Sequence, residues 1–138
     1  MAERATYATV YVGAQLAPDG ESLALEWADD AGDRTDDHEF EIATDDPREP
    51  YLEIQAFDVG AYDHDVLVNG DPLTGFDIPP GDGWQLWTDT VSGAELERGT
   101  NTLAVARDTD SGDAFAVGTV RVHWKAPVDG DGAGSADA

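Results

Sequence analysis

The stretch HDVLVNGDPLTGF, residues 64–76, decides the fold class. Val66 and Val68 stand two positions apart and are followed at once by Asn69 and Gly70. Side chains two positions apart lie on one face of a β-strand. Asn-Gly is favoured in two-residue hairpin turns, because both central positions there need a positive φ. We therefore predict a β-hairpin in this stretch.

The same alternation of apolar side chains continues along most of the chain. It predicts about eight strands, at residues 5–16, 21–27, 38–43, 51–57, 65–70, 83–91, 101–108 and 114–125. The segments between them are rich in Asp, Gly and Pro, which favour turns. Only SGAELERG, residues 92–99, has a helix-like composition, and it is one turn long at most. Regular strands without helical partners predict an all-β fold, an antiparallel β-sandwich or barrel.

The last predicted strand changes the face on which its apolar side chains lie. Phe115 and Val117 share one face, whereas Val120 and Val122, beyond Gly118, fall on the other. A shift of one residue turns every later side chain over. An extra residue in the strand corrects that shift, so we predict a β-bulge near Gly118.

The chain length of 138 residues suits one domain with a single core. We assign residues 1–125 to the β-sandwich. Residues 126–138, APVDGDGAGSADA, have no periodicity and consist mostly of Gly, Asp and Ala. They predict a flexible acidic C-terminal tail.

The charge of the chain is strongly negative, with 30 Asp and Glu against 7 Lys and Arg and a net charge of −23. Three explanations compete: disorder, a basic partner, and a salt-rich solvent. The alternating, aromatic-containing segments oppose disorder, and a binder of basic partners usually gathers its acids in blocks. Here the acids are dispersed and Lys125 is the single lysine. We therefore predict a halophilic protein, and the missing basic face argues against nucleic acid as a partner.

Further classes are disfavoured by what the sequence lacks. It has no cysteine, hence no disulfide, thiolate zinc site or cysteine nucleophile. The start, MAERATYATV, has no basic segment followed by an apolar run, so we expect no secretory signal. No apolar stretch approaches the ~18 residues of a membrane span. We expect a cytoplasmic protein that does not enter a membrane.

Two resemblances follow from these segments. VLVNGDPL (residues 66–73) followed by LERGTNTLAVAR (residues 96–107) resembles the galactose-binding-like jelly roll, in which an Asn-Gly turn followed by Leu precedes a strand of this second type. GFDIPPGDGWQLWTD (residues 75–89) and AFAVGTVRVHW (residues 114–124) are similar to a small haloarchaeal family of unknown function. The family resemblance implies no activity. The jelly-roll resemblance implies a sugar-binding or protein-docking site in the loops at one end, and it leaves a structural calcium ion open.

The candidate ligand-binding residues are aromatic. Trp84 and Trp87 have opposite strand parity, so one can face the core while the other faces solvent. An exposed Trp near Tyr62 would offer a stacking platform for a sugar ring or a partner surface. The favoured alternative buries both tryptophans beneath the IPPG loop, residues 78–81.

His64 is the fourth candidate, since it lies between Asp63 and Asp65 and all three side chains are metal-compatible donors. In a strand, however, the two carboxylates share a face and the imidazole points the other way. Residues 44–50 and 108–113 are oxygen-rich loops without the spacing of a calcium-binding loop. No metal is assigned, and no other cofactor is indicated.

No catalytic set stands out in the sequence, so we predict a non-enzyme. The first hypothesis is a non-catalytic β-sandwich module that binds a small molecule, a glycan or a protein partner through loops at one end. The second is a self-assembling structural subunit, a homo-oligomer formed through an edge strand such as residues 5–16. The third and least favoured is a metal-dependent hydrolase.

Overall fold

The computed structural model of the protein describes residues 2–128. In this range the chain forms nine β-strands and no helix: β1 (Ala2–Leu16), β2 (Asp29–Gly32), β3 (His38–Ile42), β4 (Arg48–Val59), β5 (Asp65–Val68), β6 (Asp71–Pro72), β7 (Gly81–Thr90), β8 (Gly99–Ala106) and β9 (Phe115–Val128).

The strands form two sheets that pack as a sandwich. The five-stranded sheet has the order β2-β1-β9-β4-β7, and the four-stranded sheet has the order β3-β8-β5-β6. Among the described residues the pairing of β1 with β2 is parallel, and all other strand pairs are antiparallel. The prediction of an all-β, jelly-roll sandwich is confirmed.

The core lies between the two sheets and is built by alternate side chains. On β4, Leu52, Ile54 and Ala56 are fully buried, while the residues between them are more exposed. The facing side chains of the four-stranded sheet include Val66 and Leu103. The predicted two-residue period therefore decides which face of each strand is inward and which is left for contacts with other molecules.

Two local predictions are confirmed. Asn69 and Gly70 have φ angles of 53° and 85° and join β5 to β6 in a two-residue turn. A register shift lies at Gly118, because Ile54 of β4 pairs with Val120 but Ala56 pairs with Val117, which leaves one extra residue in β9. The bulge keeps the apolar side chains of both halves of β9 directed into the core.

One predicted strand is wrong. Residues 21–27 form a loop, and Ala24 in it has a φ of 55°. The side chain of Gln15 meets the polar backbone of this loop. Its Nε2 donates to the carbonyl of Ala28 at 3.0 Å, and its Oε1 accepts from the N–H of Leu25 at 3.4 Å. A side chain thus satisfies backbone groups that a neighbouring strand would otherwise bind.

The domain boundary shifts slightly from the predicted position. β9 continues to Val128, and its last residues pair with the beginning of β1. Three residues assigned to the tail therefore belong to the sheet, while the predicted flexible segment at 129–138 lies outside the described residues. No helix long and apolar enough to cross a membrane occurs in the described part of the chain.

Candidate functional site: the outer face of the five-stranded sheet

The exposed large apolar side chains are concentrated on one surface. Seven such residues are exposed in the described chain. Six of them lie on, or pack against, the side of the five-stranded sheet that faces away from the core: Tyr7, Tyr11, Trp27, Tyr51, Trp84 and Leu86. We call this surface the outer face. Contiguous exposed apolar surface commonly marks an interaction site.

Strand parity places these aromatic residues outward. On β1, Tyr7 and Tyr11 are exposed whereas Val10 and Val12 are buried. On β7, Trp84 and Leu86 are exposed by the same alternation. Aromatic residues thus occupy positions that polar residues usually fill on the solvated face of an amphipathic sheet.

Three aromatic residues form an upper cluster near the end of the sandwich where β1 leads into the loop to β2. The ring centroids of Trp27 and Phe57 each lie 5.2 Å from that of Trp84. The indole of Trp84 reaches across to β9, since a Cβ built on Gly118 would lie 3.3 Å from two of its ring carbons. The carbonyl of Trp27 accepts a hydrogen bond from the hydroxyl of Tyr11 at 3.3 Å, which ties the loop to β1.

A second group, the lower row, crosses β1, β9 and β4 towards the other end of the sheet. Tyr7 pairs with His123, and His123 pairs with Tyr51. The ring of Tyr51 stacks on that of His123 with centroids 4.4 Å apart, and the Tyr7 ring lies 5.6 Å from it. His123 Nε2 lies 2.5 Å from Glu53 Oε1, which fixes the orientation of the imidazole.

Between the upper cluster and the lower row lies a hollow of about 160 Å³, lined by Glu53, Gln55, Leu86, Thr119 and Arg121. It offers carboxylate and amide acceptors beside hydroxyl, amide and guanidinium donors. The Arg121 guanidinium lies 5.6 Å above the Tyr7 ring. Within residues 2–128 it forms no ion pair with a carboxylate. Its donors are therefore free to bind a ligand.

A shallower and more apolar depression of about 590 Å³ adjoins the lower row, where Tyr51 and Lys125 form part of its wall. Lys125 Nζ donates to Glu49 at 2.6 Å. This hydrogen bond, together with the attraction of the two charges, holds the pKa of Glu49 below its ordinary value and raises the pKa of Lys125. The charges of Lys125 and Glu49 are thus paired beside the lower row, whereas the chain as a whole has a large excess of carboxylates.

The two candidate tryptophans separate as their parity predicts. Trp84 is 53% exposed on the outer face, so the favoured interpretation, with both tryptophans buried, is wrong for this residue. Trp87 pairs with the buried Ile54 and packs against the core. Its Nε1 is buried and has no hydrogen-bond partner in the described structure.

The other two candidates lie away from the outer face. Tyr62 is 54% exposed on the loop between β4 and β5 and makes no ring contact with a described aromatic residue. His64 is 3% exposed. Its Nε2 lies 2.8 Å from Asp113 Oδ2, and its Nδ1 accepts the N–H of Asp108 at 2.8 Å. Because both ring nitrogens are used, His64 joins two loops. A ligand-binding role for these residues stays a prediction.

The described residues contain no group of three or more His, Asp or Glu side chains placed to hold a metal ion. Asp113 Oδ2 also accepts the N–H groups of Gly60 and Ala61, at 2.9 and 3.2 Å. This oxygen therefore stabilises the loop between β4 and β5 through hydrogen bonds.

Sequence reasoning missed most of the outer face. Tyr7, Tyr11, Tyr51 and His123 are absent from the predicted binding residues, and Trp27 falls in the strand predicted at residues 21–27. A signal was present, because aromatic residues recurred at outward positions of several strands. The pairing that brings them side by side is not visible in any single strand.

Comparison with known proteins assigns the chain to a family. A model of a family of unknown function, DUF7383, matches residues 4–126. The chain belongs to this family. The predicted membership of an uncharacterised family is thereby confirmed, while its haloarchaeal origin stays an expectation. No protein with a curated description matches the sequence.

Two solved structures have a similar fold. One is a GH26-CBM35 β-(1,4)-mannanase from Podospora anserina, at 15% identity and a TM-score of 0.52, with 90% of this chain and 29% of the mannanase chain covered. The other is the CBM36-1 domain of a multidomain xylanase from the hindgut metagenome of Trinervitermes trinervoides, at 10% identity and a TM-score of 0.52, with 96% and 100% covered. This DUF7383 protein thus spans less than a third of the mannanase chain. At these identities the likeness shows the fold alone.

Proposed function

We propose that this DUF7383 protein is a non-catalytic module that binds a linear glycan on its outer face. The observation that carries the proposal is the arrangement of six exposed apolar side chains, five of them aromatic, around a hollow rich in hydrogen-bonding groups. A sugar ring has an apolar C–H face and a rim of hydroxyl groups. Aromatic rings stack against the first, and groups such as Gln55 and Arg121 bind the second.

The spacing of the aromatic groups favours an oligosaccharide over a single sugar. Tyr51 in the lower row and Phe57 in the upper cluster are six positions apart on β4, which corresponds to about 20 Å of strand. This distance exceeds the span of a disaccharide. A chain that contacts both groups crosses the hollow between them, where its hydroxyl groups meet Glu53, Gln55 and Arg121.

The fold comparison supports the ligand class and supplies the first probes. The two proteins of similar fold are a GH26-CBM35 β-(1,4)-mannanase and the CBM36-1 domain of a multidomain xylanase. Mannan and xylan are therefore the polysaccharides to examine first. The outer face replaces the loop end as the proposed binding surface, because the aromatic residues lie mainly on strands.

Depletion of the protein from solution by insoluble mannan and insoluble xylan, in about 1 M KCl to screen the charges, tests the proposal. We expect one of the two polysaccharides to retain the wild-type protein. Trp84→Ala and Tyr51→Ala should each lower the affinity at least tenfold, because truncating an anchoring aromatic residue costs about 2 kcal/mol or more and 1.4 kcal/mol is a factor of ten.

Tyr62→Ala is the matched control. Tyr62 is as exposed as Trp84 but lies off the outer face, so this variant should bind like the wild type. Loss of binding in Tyr62→Ala but not in Trp84→Ala would return the site to the loop end. No retention by any polysaccharide in a wider panel would refute glycan binding.

A further inference from the structure

β1 is an edge strand along most of its length. β9 pairs with it on one side from Ala2 onwards. On the other side β2 pairs only with Ala14, Gln15 and Leu16. The backbone of residues 2–13 has no hydrogen-bond partner on that side within the described chain. A row of unpaired N–H and C=O groups is a template for another strand.

This edge lacks the features that usually prevent strand pairing. The stretch ATYATVYVGAQL, residues 5–16, has no charged residue and no proline, although 27% of the chain is charged. Natural edge strands are commonly short, bulged or charged. β1 is 15 residues long, and its register shift begins only after Tyr11.

The other three sheet edges are protected. β7 carries Asp82 and Asp89 and has a register irregularity opposite its beginning. β3 carries Glu39 and Glu41, and β6 is two residues long. The difference between β1 and these edges indicates that β1 is kept open for a partner strand.

We propose that β1 pairs in antiparallel fashion with β1 of a second copy of this chain. A two-fold axis through Thr9 places Tyr7 opposite Tyr11 of the second copy, and Thr9 opposite its own equivalent. Aromatic pairs and Thr–Thr pairs are favourable across antiparallel strands. A two-fold interface uses the same patch on both copies. The uncharged segment supplies such a patch, because Tyr7 and Tyr11 lie at equal distances from Thr9.

The pairing joins the two five-stranded sheets into one ten-stranded sheet. The register matches odd-numbered with odd-numbered residues, so both outer faces lie on the same side. The two sets of aromatic residues then form a continuous surface, and a polymer that meets both copies gains affinity by effective concentration. The strand pairing itself does not depend on glycan binding.

Charge repulsion opposes this association, because each copy carries a net charge of −23. The screening length is about 10 Å at 0.1 M salt and about 3 Å at 1 M. We therefore expect a dimer in molar KCl that dissociates as the salt is diluted.

A single introduced cysteine tests the interface cleanly, since the chain has none of its own. Thr9→Cys places two thiols across the two-fold axis, where facing Cα atoms of antiparallel strands are about 4.5–5.5 Å apart, within disulfide range. In molar KCl under air, we expect dissolved oxygen to oxidise the two thiols rapidly, which gives a disulfide-linked dimer. Thr88→Cys, at an exposed outward position on β7, is the control and should remain monomeric.

Sedimentation velocity in molar KCl provides the second readout. The wild type should sediment as a dimer. Thr9→Asp should sediment as a monomer with an unchanged far-UV spectrum, because like charges then face each other across the strands. A wild type that stays monomeric in molar KCl overturns the proposal, as does equal crosslinking of the two cysteine variants. A Thr9→Asp dimer likewise assigns the contact to another surface.

Discussion

Gly118 leaves the space that the indole of Trp84 occupies above β9. A Cβ at this position would lie 3.3 Å from two carbons of the Trp84 ring and 3.2 Å from Gln55 Oε1. These contacts are already tight for a Cβ, so the two methyl groups that a valine carries beyond its Cβ have no room. Gly118 lies in the bulge of β9 and, because it has no side chain, also leaves room for the upper cluster.

We expect Gly118→Val to move the Trp84 indole off the sheet and to weaken polysaccharide binding. Near-UV circular dichroism reports the change, because Trp27 and Trp84 are in ring contact and their coupled signal should decrease. Gly112→Val is the control, since nothing lies within 4 Å of a Cβ at that glycine. Unchanged dichroism and unchanged binding in Gly118→Val would refute the described packing of Trp84.

Asp113 shows how a residue that resembles a site component can be structural. One of its oxygens accepts N–H groups from Gly60, Ala61 and His64. Asp113→Ala leaves these donors without their acceptor, and we expect the free energy of unfolding to fall by on the order of 3 kcal/mol. Urea unfolding in molar KCl measures this loss, with the exposed Asp110→Ala as the control on the same loop. Weakened glycan binding with unchanged stability would instead support a ligand role for this loop.

At the scale of elements, the hairpin between β5 and β6 is encoded locally. Gly70 has a φ of 85°, and nothing lies within 4 Å of a Cβ built on it. Gly70→Ala should therefore lower the free energy of unfolding by about 1–2 kcal/mol through backbone strain alone. Gly112→Ala has equal space and no left-handed φ, so it should leave stability nearly unchanged. Equal midpoints of urea unfolding for the two variants would contradict this explanation.

Elements that form through interactions between neighbouring residues were predictable from the sequence. Elements that depend on contacts between distant residues were not. The Asn-Gly turn and the bulge at Gly118 were predictable, because turn chemistry and strand parity are local. The loop at residues 21–27 was not, because its backbone is satisfied by Gln15, and β6 is too short to show a period. For the outer face, parity gives the outward position of Tyr51, but only the pairing of β4 with β9 places it on His123.

At the scale of the whole molecule, the net charge of −23 leads us to expect a fold that is more stable in concentrated salt. Repulsion among dispersed carboxylates destabilises the compact state, and salt screens it. We expect the free energy of unfolding by urea to rise steadily between about 0.1 M and 1 M KCl. Urea is uncharged, so it does not screen charges itself. A stability that is constant or falls across this range would contradict the proposed adaptation to salt.

The four tryptophans report directly on whether a glycan binds the outer face. Trp27 and Trp84 lie on this face, whereas Trp87 and Trp124 pack towards the core. The measurement is a titration with soluble manno- and xylo-oligosaccharides in molar KCl, followed by the indole N–H signals in two-dimensional NMR. We expect the Trp27 and Trp84 signals to shift together, more strongly with oligosaccharides longer than a disaccharide, while those of Trp87 and Trp124 stay in place. Indole signals that all remain unmoved, or ligand-induced shifts confined to the loop around Tyr62, would contradict glycan binding on the outer face.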